Sequence, residues 1–280
     1  MKAPKIVFVL SLCISLSNSY SQETTVMTYN IKYDNVNDTV NNWNDRKDAM
    51  VELLQHYQPG IIGMQEVLHG QLRYVVEHLP HFTFTGVGRE DGKEKGEYSP
   101  ILFDTTNYKL VESETFWLSE TPDKISVGWD AALERICTYA LFEDTYTQKQ
   151  FWVFNTHFDH MGRRAREKSA ELIVSKIKKL NTDKLPVVLM GDLNLRPEET
   201  PIQFLKKALN DAQMVTQQAF YGPTGTFNGF EHDRVLSDRI DYIFVENFEV
   251  QAYIHIDDRM ENNKHISDHL PVLTKLYIEN

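Results

Sequence analysis

The stretch Pro186-Val187-Val188-Leu189-Met190-Gly191-Asp192-Leu193-Asn194 decides how the rest of the chain is read. Its apolar run is short, valine-rich and stopped by a glycine and an acid. Such a run reads as a buried strand, 186–192, that ends in a carboxylate. The same arrangement recurs along the chain. TTVMTYNI (24–31) alternates like a strand and carries Asn30 at its end, and IIGMQE (61–66) is apolar until Glu66. FNTHFDH contributes His157 at the end of a strand over 151–157. RIDYIFV (239–245) contains Asp241, and Asp268-His269 stand just before the strand PVLTKLY (271–277).

Further strands are expected at 100–104, 109–117 and 136–143. Between them the period changes. Ala49, Met50, Leu53, Leu54 and Tyr57 recur at helical spacing over 45–57 until Pro59-Gly60 ends the run. Helices are also expected near 68–79 and over 162–180, and the polar segment 86–99 reads as a loop too hydrophilic for the core. Many strands with few helices suggest an α+β fold in which two sheets pack face to face with helices outside.

At 280 residues and 41% hydrophobic content, one large core is expected and therefore one domain over 22–280. Residues 1–21 read differently: Lys2 and Lys5 precede the apolar IVFVLSLCISL, and small polar residues follow. This is the pattern of a secretory signal peptide cut near Ser19 or Ser21. The apolar stretch is far short of the ~20 residues of a spanning helix, so no transmembrane segment is expected in the mature chain. Leu12 before Cys13 argues against lipoprotein processing. Export to the periplasm or the extracellular space is the expectation, with a monomer left holding one cysteine, Cys137, and no internal disulfide.

The formal net charge is −11, and losing the leader with its two lysines makes it more acidic. Gripping a nucleic-acid backbone usually requires a basic surface. The balance therefore disfavours a long polyanion and leaves a small phosphoester open.

Any one Asp, Asn or His at a strand end is ordinarily a turn former or a structural residue. Their recurrence at so many strand ends points instead to a shared site. Scattered oxygen donors suit a hard cation such as Mg²⁺ or Mn²⁺, which binds one or two carboxylates together with substrate phosphate oxygens. The CxxC and HExxH spacings of common zinc sites are absent from the sequence.

TYNI, QEV, NTHFDH, GDLN, IDYIF and SDHLP, in this order, resemble the motifs of the endonuclease/exonuclease/phosphatase superfamily, of deoxyribonuclease I type. The likeness runs from about Thr25 to Leu276, and GWDAALERICTYA resembles a signature of its exported bacterial members. The resemblance implies a four-layer α/β sandwich of two mainly antiparallel sheets flanked by helices. It also implies a metal held by Asn30, Glu66 and Asp268, and in-line attack of water on phosphorus. His269, held by Asp241, would donate to the phosphoryl oxygen. Asp192 with Asn194 would orient or deprotonate the water. His157 would be a second imidazole, paired with Glu97.

The superfamily acts on DNA, RNA, nucleotides, phosphoinositides and sphingomyelin, so the fold does not choose a substrate. Candidates for choosing it lie in the insertions. Arg135 is placed as a phosphate clamp because a guanidinium reads phosphate bidentately, the alternative being a surface arginine paired with Glu134 or another acid, and Asp159 of NTHFDH joins the substrate-binding set. Trp43 and Trp129, both in polar loops, are candidate platforms or else pin their loops by packing; Arg46 opens a helix and either reaches the site or is merely solvated. Arg163, Arg164, Arg166 and Lys168 form a basic run usable for steering or merely solvated. The leading function is an exported Mg²⁺- or Mn²⁺-dependent hydrolase of a small phosphoester, whether sugar phosphate, inositol phosphate or lipid headgroup. An extracellular nuclease is the alternative, and a binding protein that has lost its chemistry comes last.

Overall fold

The computed structural model describes residues 23–279; the expected leader and Cys13 lie outside them. In chain order the elements are β1 (Thr24–Asn30), α1 (Trp43–Tyr57), β2 (Ile61–Gln65), α2 (His69–His78), β3 (Phe82–Thr85), β4 (Ile101–Asp104) and β5 (Tyr108–Trp117). There follow β6 (Ile136–Asp144), β7 (Gln150–His157), α3 (Arg163–Leu180), β8 (Val187–Asp192), α4 (Thr200–Ala208), β9 (Asn210–Asp211) and α5 (Ala212–Val215). The last strands are β10 (Asp241–Glu246), β11 (Phe248–His255) and β12 (Val272–Ile278).

The strands form two sheets of six, ordered β11-β12-β1-β2-β4-β3 and β5-β6-β7-β8-β10-β9. Each has one parallel pair, β1 with β2 and β7 with β8; the other pairings are antiparallel. Alternation of side chains sorts the strands into three apolar layers. Val26, Ile61, Val153, Val188, Met190 and Ile243 fill the space between the sheets. Met27, Tyr29, Ile62 and Met64 face outward onto Met50, Leu53 and Leu54 of α1 and Leu72 and Val75 of α2. Phe154, Val187 and Leu189 face the other way onto Ile173 and Ile177 of α3 and Ile202 and Leu205 of α4. Helices, sheet, sheet, helices: the four-layer α+β sandwich implied by the motifs is the fold observed.

The two sheets are also stitched by polar groups. Gln65 Nε2 donates to Asn155 Oδ1 across the layer at 2.7 Å, while Asn155 Nδ2 reaches the carbonyls of Met64 and Pro100. A Cβ on Gly63 would meet the Met190 and Asn155 side chains at under 3 Å, so only glycine lets the sheets close there. Cys137 is buried and free, and no helix among the described residues is long and apolar enough to cross a membrane.

Sequence periodicity did not reveal β3, α4, β9, α5 or β11. β3 and β11 are edge strands of one sheet, β9 and α5 are too short to show a period, and the α4 residues follow a polar, proline-containing turn.

Candidate active site

Register and alternation assemble the site before any side chain is considered. Across β7, β8 and β10, His157 stands opposite Asp192, and Asp192 opposite Asp241. Met190, Val153 and Ile243, each an even number of residues away, face the inter-sheet layer, so these three polar residues face it too. From the other sheet, Asn30 shares the face of Val26. Its Nδ2 crosses the layer to donate to Asp192 Oδ2 at 3.0 Å and also reaches Glu66 Oε1 at 3.2 Å.

Glu66 follows Gln65 directly, so alternation would aim it away from the layer, and there the backbone breaks. Lys32, Glu66 and Asn194, each just beyond a strand end, have φ of 59°, 57° and 51°. Non-glycine residues in this left-handed region cost of order 1–3 kcal/mol each and cluster at functional sites. At Glu66 the kink returns the side chain to the layer that Gln65 already faces, where it meets Asn30.

His269 Nδ1 lies 2.9 Å from Asp241 Oδ2, and its Nε2 faces Asp192 Oδ2 at 3.7 Å. On the opposite flank His157 Nε2 accepts from Asn194 Nδ2 at 3.0 Å and lies 3.4 Å from Asp192 Oδ2. Asp192 is thus the hub between two imidazoles, and its other oxygen takes the Asn194 N–H. Phe227 packs edge-on against the His269 ring, and the Asn228 and Gly229 N–H groups both donate to the Asp268 carbonyl.

Burial and charge split the two imidazoles. Burial alone would lower His269, but Asp241 and Asp192 outweigh it and push its pKa up to about 10. His157 is driven well below the ordinary value by burial, with Arg135 and Arg89 adding to it. One ring is therefore an imidazolium at neutral pH and the other a neutral acceptor. Asp192 is raised to about 7, mainly by burial, against the pull of His269; that is close to the value a neutral-pH general base needs.

Asp192, Asp241 and His269 present ligand atoms within 4.8 Å of one another, yet a cation among them would have to displace the proton that His269 holds toward Asp241. The better fit is the adjacent corner. Glu66 and Asp268 both face the Lys32 ammonium, at 3.4 and 3.9 Å, so this corner already gathers two acids around one positive charge. Lys32, His269 and Asn30 hold Glu66 below its usual range despite its burial, while burial and Glu66 raise Asp268. Asn30 meets this corner through its Nδ2, its Oδ1 taking the Lys32 N–H; with the amide turned over it would add a third oxygen to the two carboxylates, a set that suits Mg²⁺ or Mn²⁺.

Several sequence expectations need correction. Glu97 does not hydrogen-bond His157: Nδ1 is 3.9 Å from Glu97 Oε2 and has no hydrogen-bond partner. Glu97 is instead held bidentately by Arg89, at 3.0 and 2.8 Å, because the loop thought too polar for the core folds inward with Arg89 buried. Trp43 is no platform; it is 5% exposed and packs edge-on to Tyr74. Arg46 is wholly buried and donates to backbone carbonyls, so it meets no substrate. Asp159 is 1% exposed. Its oxygens take the N–H groups of Ala132, Met161 and Gly162 and the Arg135 Nε, so it holds Arg135 in place.

Arg135 itself stands where a clamp should. It lines a small cleft with Arg89, Glu97, Ser99 and His157, and its Nη1 has no partner. The basic run is mostly a solvated face, with Arg163 and Lys168 paired to Glu167 and Glu171 on their own helix. Lys32, Arg89 and the Thr226–Gly229 turn were missed in the sequence, where nothing local marks them; only their distant partners do.

The comparisons agree with this geometry. The model of the Endonuclease/Exonuclease/phosphatase family matches residues 27–269. An endonuclease/exonuclease/phosphatase of Bacteroides vulgatus is 37% identical, with a TM-score of 0.87 over 92% of this chain and 100% of its own. A mannosyl-6-phosphatase of Bacteroides thetaiotaomicron is likewise 37% identical, with a TM-score of 0.87 over 91% of this chain and 99% of that one. An uncharacterized protein of Acanthamoeba polyphaga mimivirus is 27% identical across 84% of this chain and 92% of its own length. With the family model spanning the first motif to the last, and the fold matching over nearly the whole of both chains, this chain belongs to the endonuclease/exonuclease/phosphatase family.

Proposed function

We propose that the chain is a divalent-metal-dependent hydrolase of a small phosphoester, with a sugar phosphate the foremost substrate class, and that it acts after export. The observation that carries this reading is Asp192 set between a charged and a neutral imidazole, beside a corner of oxygen donors. The sugar-phosphate preference is supported by the 37% identity to a mannosyl-6-phosphatase. The acidic balance of the chain supports a small substrate over a polymer.

In this reading Asn30, Glu66 and Asp268 would hold Mg²⁺ or Mn²⁺, which would supply Lewis-acid polarisation of a phosphoryl oxygen and offset its charge. Asp192 takes the proton of the attacking water as the new O–P bond forms. His269, kept charged by Asp241, donates a hydrogen bond to a phosphoryl oxygen as charge develops there. Asn194 orients His157 and the water, and the free Arg135 N–H meets the phosphate. The bond to the leaving oxygen breaks in line, that oxygen takes a proton from solvent water and departs as the alcohol, and no covalent enzyme intermediate forms.

The test is phosphate release from mannose 6-phosphate, inositol phosphates and p-nitrophenyl mono- and diesters, alongside single-stranded DNA and RNA cleavage, with Mg²⁺ or Mn²⁺ and after EDTA. Glu66→Ala and His269→Ala serve as controls. Turnover of a small ester, lost on chelation and in both variants, supports the reading. Turnover of nucleic acid alone, with affinity falling steeply in added salt, would replace it with the nuclease. Equal silence in wild type and variants would leave a binding protein.

A further inference from the structure

Arg46 carries a charge into the interior and pairs it with no acid among the described residues. It is 0% exposed, and every hydrogen bond it makes goes to a backbone carbonyl. Nε donates to Asn41 at 2.7 Å, Nη1 to Ile31 at 2.9 Å and Ile266 at 2.8 Å, and Nη2 to Lys32 at 3.2 Å. Trp43 and Phe230 cover the guanidinium, their ring centroids 5.8 and 5.5 Å away. A buried cation without an acidic partner is expensive, so a filler role is a poor account of it.

Three of the four carbonyls share a place in the chain beside the ligands, and the fourth, Asn41, lies just before the helix that carries Arg46. Ile31 and Lys32 follow Asn30 directly, and Ile266 stands two residues before Asp268. The planar fork of donors thus spans the two segments that carry oxygen ligands from opposite ends of the sequence. Ser267 Oγ adds a second stitch between the same segments by donating to the Asn30 carbonyl at 2.7 Å. Lysine could not reproduce this, because one ammonium cannot reach separated carbonyls along several directions of a plane.

We propose that Arg46 is a positioning residue of the metal centre: it sets the spacing of Asn30 and Asp268 by binding the backbone beside both. The proposal rests on the reading of Asn30, Glu66 and Asp268 as metal ligands. Partners that fix ligand geometry are typically worth 10–100-fold in metal affinity.

The test compares Mn²⁺ binding, by calorimetry and by the spin-resonance signal of free Mn²⁺, for wild type, Arg46→Lys, Arg46→Met and Leu54→Ala. Leu54 is a buried core residue of the same helix and touches neither ligand segment through its side chain in any hydrogen bond, so its variant loses stability without the positioning. All proteins are measured well below their own melting temperatures. The expected result is a Kd about ten-fold or more weaker for both Arg46 variants, with Leu54→Ala within two-fold of wild type. If Arg46→Met does not fold, Arg46→Lys, which keeps the charge and loses the fork, still decides. Wild type binding Mn²⁺ with the Arg46 variants unchanged overturns the proposal alone. Wild type that binds no Mn²⁺ overturns the metal reading and the proposal with it.

Discussion

Replacing Asp241 by asparagine removes one negative charge and little volume from behind His269. The carboxylate stands 2.9 Å from Nδ1, and together with Asp192 it carries the imidazole from an ordinary 6.5 up to about 10 against a burial that works the other way. Asp241 is the closer and larger of the two contributions, so about two units or more of that rise should vanish, equivalent to about 3 kcal/mol. His269 would then titrate near pH 8 or below. With the protonated ring as the proposed active form, the alkaline limb of the kcat/KM profile should move from about 10 to about 8, and the acid limb, set by Asp192, should fall below about 7 because the charge of Asp241 helps to raise Asp192. The stability linkage has the same sign: a raised histidine pKa stabilises fully below 6.5 and is lost as pH rises through about 10. The melting temperature of Asp241→Asn should therefore fall below wild type at pH 6 and converge with it above pH 10. A kcat/KM profile with an NMR titration of the His269 ring reads both quantities. An alkaline limb still near 10 in the variant would refute the account of how His269 is charged.

Three further outcomes are expected. Asp192→Asn should lower kcat by about 10²–10⁴-fold and erase the acid limb from whatever activity remains, which a pH–rate profile will show. Arg89→Ala strands a mostly buried Glu97 and should cost about 3–5 kcal/mol; the double replacement Arg89→Met with Glu97→Met should recover most of it in urea denaturation. Trp43→Ala should cost about 3–5 kcal/mol of stability, with KM for the substrate unchanged below the melting temperature, because the ring is packed against Tyr74 rather than toward a ligand.

What the sequence made legible follows from where each signal is stored. Asn30, Glu66, His157, Asp192, Asp241 and Asp268-His269 announce themselves because each interrupts, ends or shortly precedes an apolar strand, and strand ends are local. Their convergence is encoded by register, such as Asp192 opposite both His157 and Asp241, and by two-residue alternation. The errors concern residues whose role depends on a distant partner. Glu97 is paired with His157 by the resemblance, as a glutamate that precedes a strand, and it does stand 3.9 Å from that ring, yet Arg89, eight positions away in a loop that folds inward, holds it more closely. Trp43, Arg46 and Asp159 sit in polar surroundings in the sequence, and polarity there suggested exposure. In the structure that polarity is spent on buried backbone: carbonyls for Arg46, N–H groups for Asp159.

The hydrogen bond from Asn30 to Asp192 joins two sheets that each hold half of the chemistry. One sheet and its flanking loops supply Asn30, Glu66 and Asp268; the other supplies His157, Asp192 and Asp241. Catalytic competence is thus a property of the seam and not of either sheet. A slip of an ångström between the layers, leaving every strand paired and every helix wound, would part the hub from its partners. Turnover in this architecture works as a gauge of sheet-on-sheet docking, and mild pressure or denaturant should silence it while the circular dichroism of the backbone is still native.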